Sequence, residues 1–387
     1  IERELQLQVG EPFRFDILQA DMVRLENLNI FASMVPTPEA DGKGVAIHLK
    51  LREMPPIIPF VAFTYTEENG FSVGPALSAL NFLGRDIQVS GRALFGGTNT
   101  YWLKFDYPWI AGNHASAYVY AAHLVRDDEM LGFQETSDEV TPWVGTYLGE
   151  HGRLKGAFSY FRMSSDTEGI TLTPDDVDEL HRLAVAVGWD TRDSWRNPRQ
   201  GWQSELELWR TGGILGGDGD FWSMNLDLRR FQPLGGRQTL TIGSLLSLQS
   251  GTVGVDVPSY LQYHLGGANS VRGYEIGDLG RRLYGKNQWI TTLEYRYTVL
   301  PVRRFDIWKL SFSAGAELAA FTDVGVAWTE ADDFAWNRFA KGAGVGLRLL
   351  VPGSEQFRLD VGYSREGGFH FHFGNFSKLT AQRFRLR

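Results

Sequence analysis

From Pro55-Pro56 onward, apolar and polar residues alternate with period two in one short segment after another. Tyr101, Leu103, Phe105 and Tyr107 alternate with Trp102, Lys104 and Asp106. Leu183, Val185, Val187 and Trp189 share one face and leave Asp190 and Arg192 on the other. Trp222, Met224, Leu226 and Leu228 oppose Ser223, Asn225, Asp227 and Arg229; Phe357, Leu359, Val361 and Tyr363 oppose Arg358, Asp360 and Gly362. A period of two puts successive side chains on opposite faces of a strand. Counting from Phe60 gives sixteen such segments, the first near 59–66, the sixth near 139–148, the twelfth near 288–299 and the last near 369–376. Short connections (81–85, 149–152, 352–355) follow even-numbered segments, and longer acidic ones (127–139, 164–180, 212–220, 329–341) follow odd-numbered segments. Within one of the long connections, Thr173-Pro174-Asp175-Asp176 reads as an N-cap that opens a short helix.

Residues 1–54 have a different pattern. Residues 1–7 read as the end of a helix stopped at Gly10-Glu11-Pro12, and Phe15, Ile17, Leu18, Met22, Leu25 and Leu28 recur at helical spacing. A strand over 30–35, a turn at Asp41-Gly42 and an alternating strand over 45–52 follow. This is a small α+β unit ahead of an all-β body.

Alternation alone fits either a soluble sandwich, whose apolar face meets a second sheet, or a membrane barrel, whose apolar face meets lipid. Composition tilts the balance. The 387 residues are 43% hydrophobic with 13% aromatics and 44 Gly, yet no run approaches the ~18 apolar residues of a membrane helix. Charged residues recur on the polar faces of segments that end in Trp and Tyr, as lumen-lining strands between aromatic girdles require. The sequence has no Cys, which excludes disulfides and thiolate chemistry, and its net charge of −8 without a basic tract argues against nucleic acid. It begins at Ile1, as a processed form or fragment would.

The stretch 266–278, GGANSVRGYEIGD, lies between the eleventh and twelfth segments. Its Val271-Arg272-Gly273-Tyr274 resembles the VRGF/Y signature of the BamA, TamA and FhaC superfamily of outer-membrane insertases and translocases. Phe321-Thr322-Asp323-Val324-Gly325, followed by Trp328, looks like that family's FxDxGxxW pattern. Residues 366–373 (EGGFHFHF) fit its terminal β-signal, and 190–201 (D-x-R-D…P-x-x-G) is similar to a family turn with a structural role. The resemblance implies a 16-stranded antiparallel transmembrane barrel over 55–387, with the loop of about 250–287 folded inward. Residues 1–54 are then a partial POTRA domain facing the periplasm, lacking its first strand; an unrelated α+β cap is the alternative.

Arg272 is expected to meet lumen carboxylates, with Glu294 and Asp323 as candidates, because a guanidinium away from bulk water needs acidic partners. The first and last strands, with Phe60, Val61, Ala62 and Phe63 on one and Phe369, Phe371, Phe373 and Gly374 on the other, form the implied lateral gate. His370 and His372 share a face of the last strand with no third metal ligand in view. Nothing resembles a nucleophile elbow or a phosphate loop, so no catalytic residue, metal or cofactor is expected. The implied function is insertion of outer-membrane proteins. The implied partners are outer-membrane lipids and lipopolysaccharide, unfolded outer-membrane or secreted clients, and periplasmic or lipoprotein helpers. A two-partner secretion pore, an anchor for an N-terminal passenger such as a patatin-like lipase, and a barrel enzyme or porin remain as alternatives. The basic stretch 377–387 after Phe376 departs from the family pattern.

Overall fold

The computed structural model describes residues 1–374 apart from 29, 67–68, 112–114, 196, 277–282, 308–309 and 351–356. The turn at 352–355, Gly277 and Asp278 of the loop motif, residues 375–376 of the last expected strand and the stretch 377–387 therefore lie outside the described residues.

The N-terminal unit consists of a 3-10 turn (Glu2–Glu4), one helix α1 (Phe15–Asn27) and a hairpin of β1 (Phe31–Asp41) and β2 (Gly44–Glu53). The first seven residues thus hold a single 3-10 turn where the end of a helix was expected. Gly42, at φ +59°, makes the hairpin turn. Leu25, Leu28 and Ile30 form the small core, with Leu5, Met22, Phe31, Met34 and Leu49 against it. Asp21, buried on α1, accepts hydrogen bonds from the Gln6 and Leu7 amides at 2.9 and 3.1 Å and so ties the first residues to the helix.

The remainder is β3 (Ile57–Thr66), β4 (Gly70–Phe82), β5 (Ile87–Gly96), β6 (Asn99–Ala111), β7 (Ala115–Asp128), β8 (Phe133–Leu148), β9 (Gly152–Ser165), β10 (Val177–Asp190), β11 (Gly201–Gly212), β12 (Asp220–Gly235), β13 (Gln238–Gln249), two short strands β14 (Tyr263–His264) and β15 (Tyr284–Gly285), then β16 (Asn287–Ile307), β17 (Leu310–Trp328), β18 (Ala340–Leu350), β19 (Phe357–Ser364) and β20 (Gly368–Gly374). All but β14 and β15 join one 16-stranded antiparallel sheet in chain order, from β3 to β20. It is a nearly closed barrel.

The barrel is inside-out relative to a soluble protein. On β10, Leu183, Val185, Val187 and Trp189 are 48–51% exposed on the outer surface, whereas Ala184 and Ala186 on the alternate positions are 2% and 0% exposed. Charged side chains are buried within: Lys155 on β9 meets Glu205 on β11 at 2.5 Å, and Asp227 and Arg229 pair on β12 at 2.9 Å. Large apolar groups outside and paired charges inside are what a bilayer as solvent selects.

Two expectations about loops are corrected. The connection expected over 127–139 is a four-residue turn at 129–132, because β7 and β8 continue through residues polar on both faces. Arg126 pairs with Glu135 at 2.8 Å on one face and His123 meets Asp138 at 2.8 Å on the other, so cross-strand polar pairs occupy both faces there. The segment 173–176 is a turn and not a helix. Asp178 accepts from the Leu172 and Thr173 amides at 2.9 and 3.2 Å, and Asp176 sits at φ +58°, which halts helical propagation.

The short turns lie beside the N-terminal unit. Asn81 reaches Glu53 at 3.4 Å, Gln6 reaches Glu150 at 3.1 Å, and the Trp195 amide donates to Asn27 at 3.4 Å. The turn 191–200 also crosses the lumen: Asn197 accepts from Arg296 of β16 at 2.8 Å and donates to Glu317 of β17 at 3.0 Å. Its own form comes from the Asp190–Arg192 pair at 2.6 Å and from Asp193, which accepts the Arg199 and Gln200 amides.

Candidate functional site

The connection from β13 to β16 leaves the end of the barrel remote from the N-terminal unit and turns back into the lumen. β14 and β15 pair as its neck, Tyr263 with Gly285 and His264 with Tyr284. Below the neck the Gly267 amide donates to the Tyr274 carbonyl at 2.7 Å, closing a compact tip in which Val271, Arg272, Gly273 and Tyr274 are all buried. Val271 and Tyr274 pack with Leu265, Leu283, Ile290, Ala327 and Ala340, so the tip carries its own apolar core.

Glycines of the wall admit the tip. A Cβ at Gly325 of β17 would stand 2.8 Å from Val271 Cγ2; one at Gly342 of β18 would stand 1.8 Å from the Arg272 carbonyl oxygen; one at Gly362 of β19 would stand 2.5 Å from the Gly273 nitrogen. Three neighbouring strands thus lack side chains where the loop backbone touches them. The expected result for Gly342→Ala is a displaced loop, seen as new protease cleavage within 265–276, with about 1–3 kcal/mol lost to overpacking if the loop stays in place.

Arg272 is fully buried, and every side of its guanidinium is engaged. Nε and Nη2 meet the two Asp323 oxygens at 2.8 and 3.0 Å, a two-pronged pair, and the Arg272 backbone amide also donates to Asp323 at 3.1 Å. Nη1 reaches Asp360 of β19 at 3.0 Å and Glu294 of β16 at 3.3 Å. The flat face lies 3.3 Å from the centroid of Phe321. Arg348 of β18 closes the set, bonding Glu294 at 2.6 Å and pairing with Asp360, while Arg358 of β19 holds the loop at the Ala268 carbonyl and Asn269. Three carboxylates and three guanidinium groups leave the cluster neutral as a unit, the condition for burying charge without a large penalty.

Sequence reasoning named Glu294 and Asp323; both lie on Arg272. It did not single out Asp360, Arg348 or Arg358, although each stood on the polar face of an alternating segment, which was the available signal. Phe321, inside the quoted motif, is the ring under the guanidinium.

The first and last strands present a different surface. Among the described residues no backbone ladder joins β3 to β20. Phe63 instead stacks on Phe373 across the seam with centroids 5.8 Å apart, and the row continues to Phe71 of β4 at 6.2 Å and Phe357 of β19 at 6.4 Å. Val61, Phe63, Phe369 and Phe371 are exposed on the outer face; Ala62 is buried on the inner register, where Phe60 is exposed; and Gly374 is the last described residue of β20.

Residues 81–376 match the Omp85 superfamily domain. An outer membrane protein assembly factor BamA from Nitratidesulfovibrio vulgaris is 24% identical over 97% of this chain and 49% of its own length, so the chain spans about half of that relative. BamA from Haemophilus ducreyi lacking POTRA domains 1–3 shares the fold at a TM-score of 0.63 and 14% identity, covering 97% of this chain and 79% of that one. CdiB from Escherichia coli does so at 0.63 and 12%, covering 97% and 71%. The lipid-facing barrel, the inward loop on its buried ion cluster and the match over most of the chain make this a bacterial outer-membrane protein that belongs to the Omp85 superfamily.

Proposed function

We propose that this chain inserts β-barrel clients into the outer membrane through the seam between β3 and β20, and that residues 1–54 are part of a periplasmic POTRA domain that delivers them. The observation that carries this is the seam itself: among the described residues the two strands meet through phenylalanine rings, where every other neighbouring pair of the sheet has a hydrogen-bonded register. Rings can part without leaving backbone donors newly unsatisfied, and a freed edge can then take an incoming strand by β-augmentation. In lipid the client strand gains partners for its N–H and C=O groups, so the protein lowers an insertion barrier and makes or breaks no covalent bond. Outer-membrane lipid and lipopolysaccharide surround the exposed face, and periplasmic or lipoprotein helpers would approach from the side of the N-terminal unit.

The likeness to CdiB supports a second reading, a secretion pore that passes an unfolded partner through the lumen. The tip, wedged on the glycines of β17, β18 and β19, stands in the way of that route. Reconstitution into liposomes with an unfolded eight-stranded client decides between them. Insertion predicts protease-resistant, heat-modifiable client in the bilayer at a rate well above empty liposomes. Release of client into the liposome interior, with none in the bilayer, would overturn the insertase reading.

A further inference from the structure

The loop tip touches the last strand as well as the ion cluster. The Gly273 amide donates to His372 Nε2 at 3.3 Å, and the Gly273 carbonyl accepts from Ser364 Oγ at 2.5 Å. Gly273, at φ +100°, lies so close to β19 that a Cβ there would stand 2.6–2.9 Å from the backbone of Tyr363 and Ser364. Two residues on, Glu275 Oε1 lies 3.1 Å from His370 Nδ1, and His370 Nε2 lies 2.6 Å from the Gly367 carbonyl. The two imidazoles stack at 6.2 Å on the lumen face of β20.

His372 Nε2 accepts from the Gly273 amide. His370 lies between the Glu275 carboxylate and the Gly367 carbonyl, two acceptors that its ring nitrogens reach from the strand. One histidine holds the loop backbone and the other a loop carboxylate. Both belong to the strand whose outer face carries the seam ring Phe373.

We propose that His372 and His370 are positioning residues that latch β20 to the loop tip, so that β20 leaves the seam only when Gly273 and Glu275 let go. Arg272 anchors the loop to β16, β17 and β19, and through His372 the same anchor reaches the edge strand. The seam then has two fastenings, phenylalanine rings on the lipid side and the histidine–loop contacts on the lumen side. This rests on the reading of the seam as the gate.

The test reads strand mobility rather than client insertion, so that its failure leaves the gate reading standing. Amide hydrogen exchange of the whole protein in lipid nanodiscs is compared for wild type, His372→Leu, His372→Gln and Glu275→Gln. The Gln carbonyl can accept from Gly273 as the imidazole does, whereas Leu cannot. We expect His372→Leu to speed exchange in 368–374 at least tenfold with β7 and β8 unchanged, His372→Gln to stay within about threefold of wild type, and Glu275→Gln to give a smaller rise confined to 368–374. Glu275 is exposed, so the last variant reports even if the core variant folds poorly. Unchanged exchange in the Leu and Glu275 variants, an equal rise in β7 and β8, or a loosening that Gln does not rescue would each overturn the latch.

Discussion

Arg272→Ala is expected to cost about 3–5 kcal/mol, the usual loss when one member of a buried ion group is removed and its partners stay. Asp323, Glu294 and Asp360 would then face two guanidinium groups instead of three, with the deficit concentrated at Asp323, which loses both guanidinium N–H bonds and keeps only the backbone amide of residue 272. The guanidinium also fills the space above Phe321, so a void accompanies the charge imbalance. Arg272→Lys should recover part of the loss, because a point charge restores neutrality while the fork on Asp323 and the contact with Phe321 are gone. The measurement is the fraction of heat-resistant folded barrel in semi-native gels: lowest for Ala, intermediate for Lys. Added salt should change the order little, since the cluster is out of reach of ionic screening. An alanine variant with wild-type mobility and wild-type client insertion would show that the ion cluster is dispensable, and the loop with it.

The legibility of this fold followed the physics of its two solvents. Within the bilayer one face of each strand must be apolar, so Leu183, Val185, Val187 and Trp189 announced β10 without ambiguity. Above the bilayer that constraint ends. Residues 127–139 looked like a loop because β7 and β8 are polar on both faces there, with His123–Asp138 and Arg126–Glu135 pairing across the ladder. The lumen shows the complementary limit. Alternation tells which residues point inward, but Asp360, Arg348 and Arg358 resemble every other inward charge until the loop tip settles among them. The glycines are instructive too. Gly342, Gly344 and Gly346 alternate along β18, and it is the position of the Arg272 carbonyl that explains why Gly342 has to lack a side chain. The sequence shows only that the two histidines share a face of β20, and their loop partners lie some 95–99 residues away.

The second large effect concerns the seam. Phe63 and Phe373 face each other across it at 5.8 Å, and the chain contains no cysteine, so Phe63→Cys with Phe373→Cys introduces one possible disulfide and no competitor. No ladder among the described residues holds β3 to β20, so the disulfide forms when the seam closes to the Cα separation it tolerates, about 4.4–6.8 Å. Replacing the rings removes the apolar fastening, and oxidation substitutes a covalent one. In the reduced state the pair should insert client at or above the wild-type rate, since the seam is looser. Oxidised, it should insert at least tenfold more slowly, remain folded and heat-modifiable in the membrane, and regain activity on reduction. Ala62→Cys with Phe371→Cys, which puts one thiol on the inner register and one on the outer, is the control expected to cross-link poorly. Full client insertion with the Phe63–Phe373 seam demonstrably oxidised would exclude lateral opening. The lumen would then be the remaining path, and the loop tip on β17, β18 and β19 would have to move out of the way.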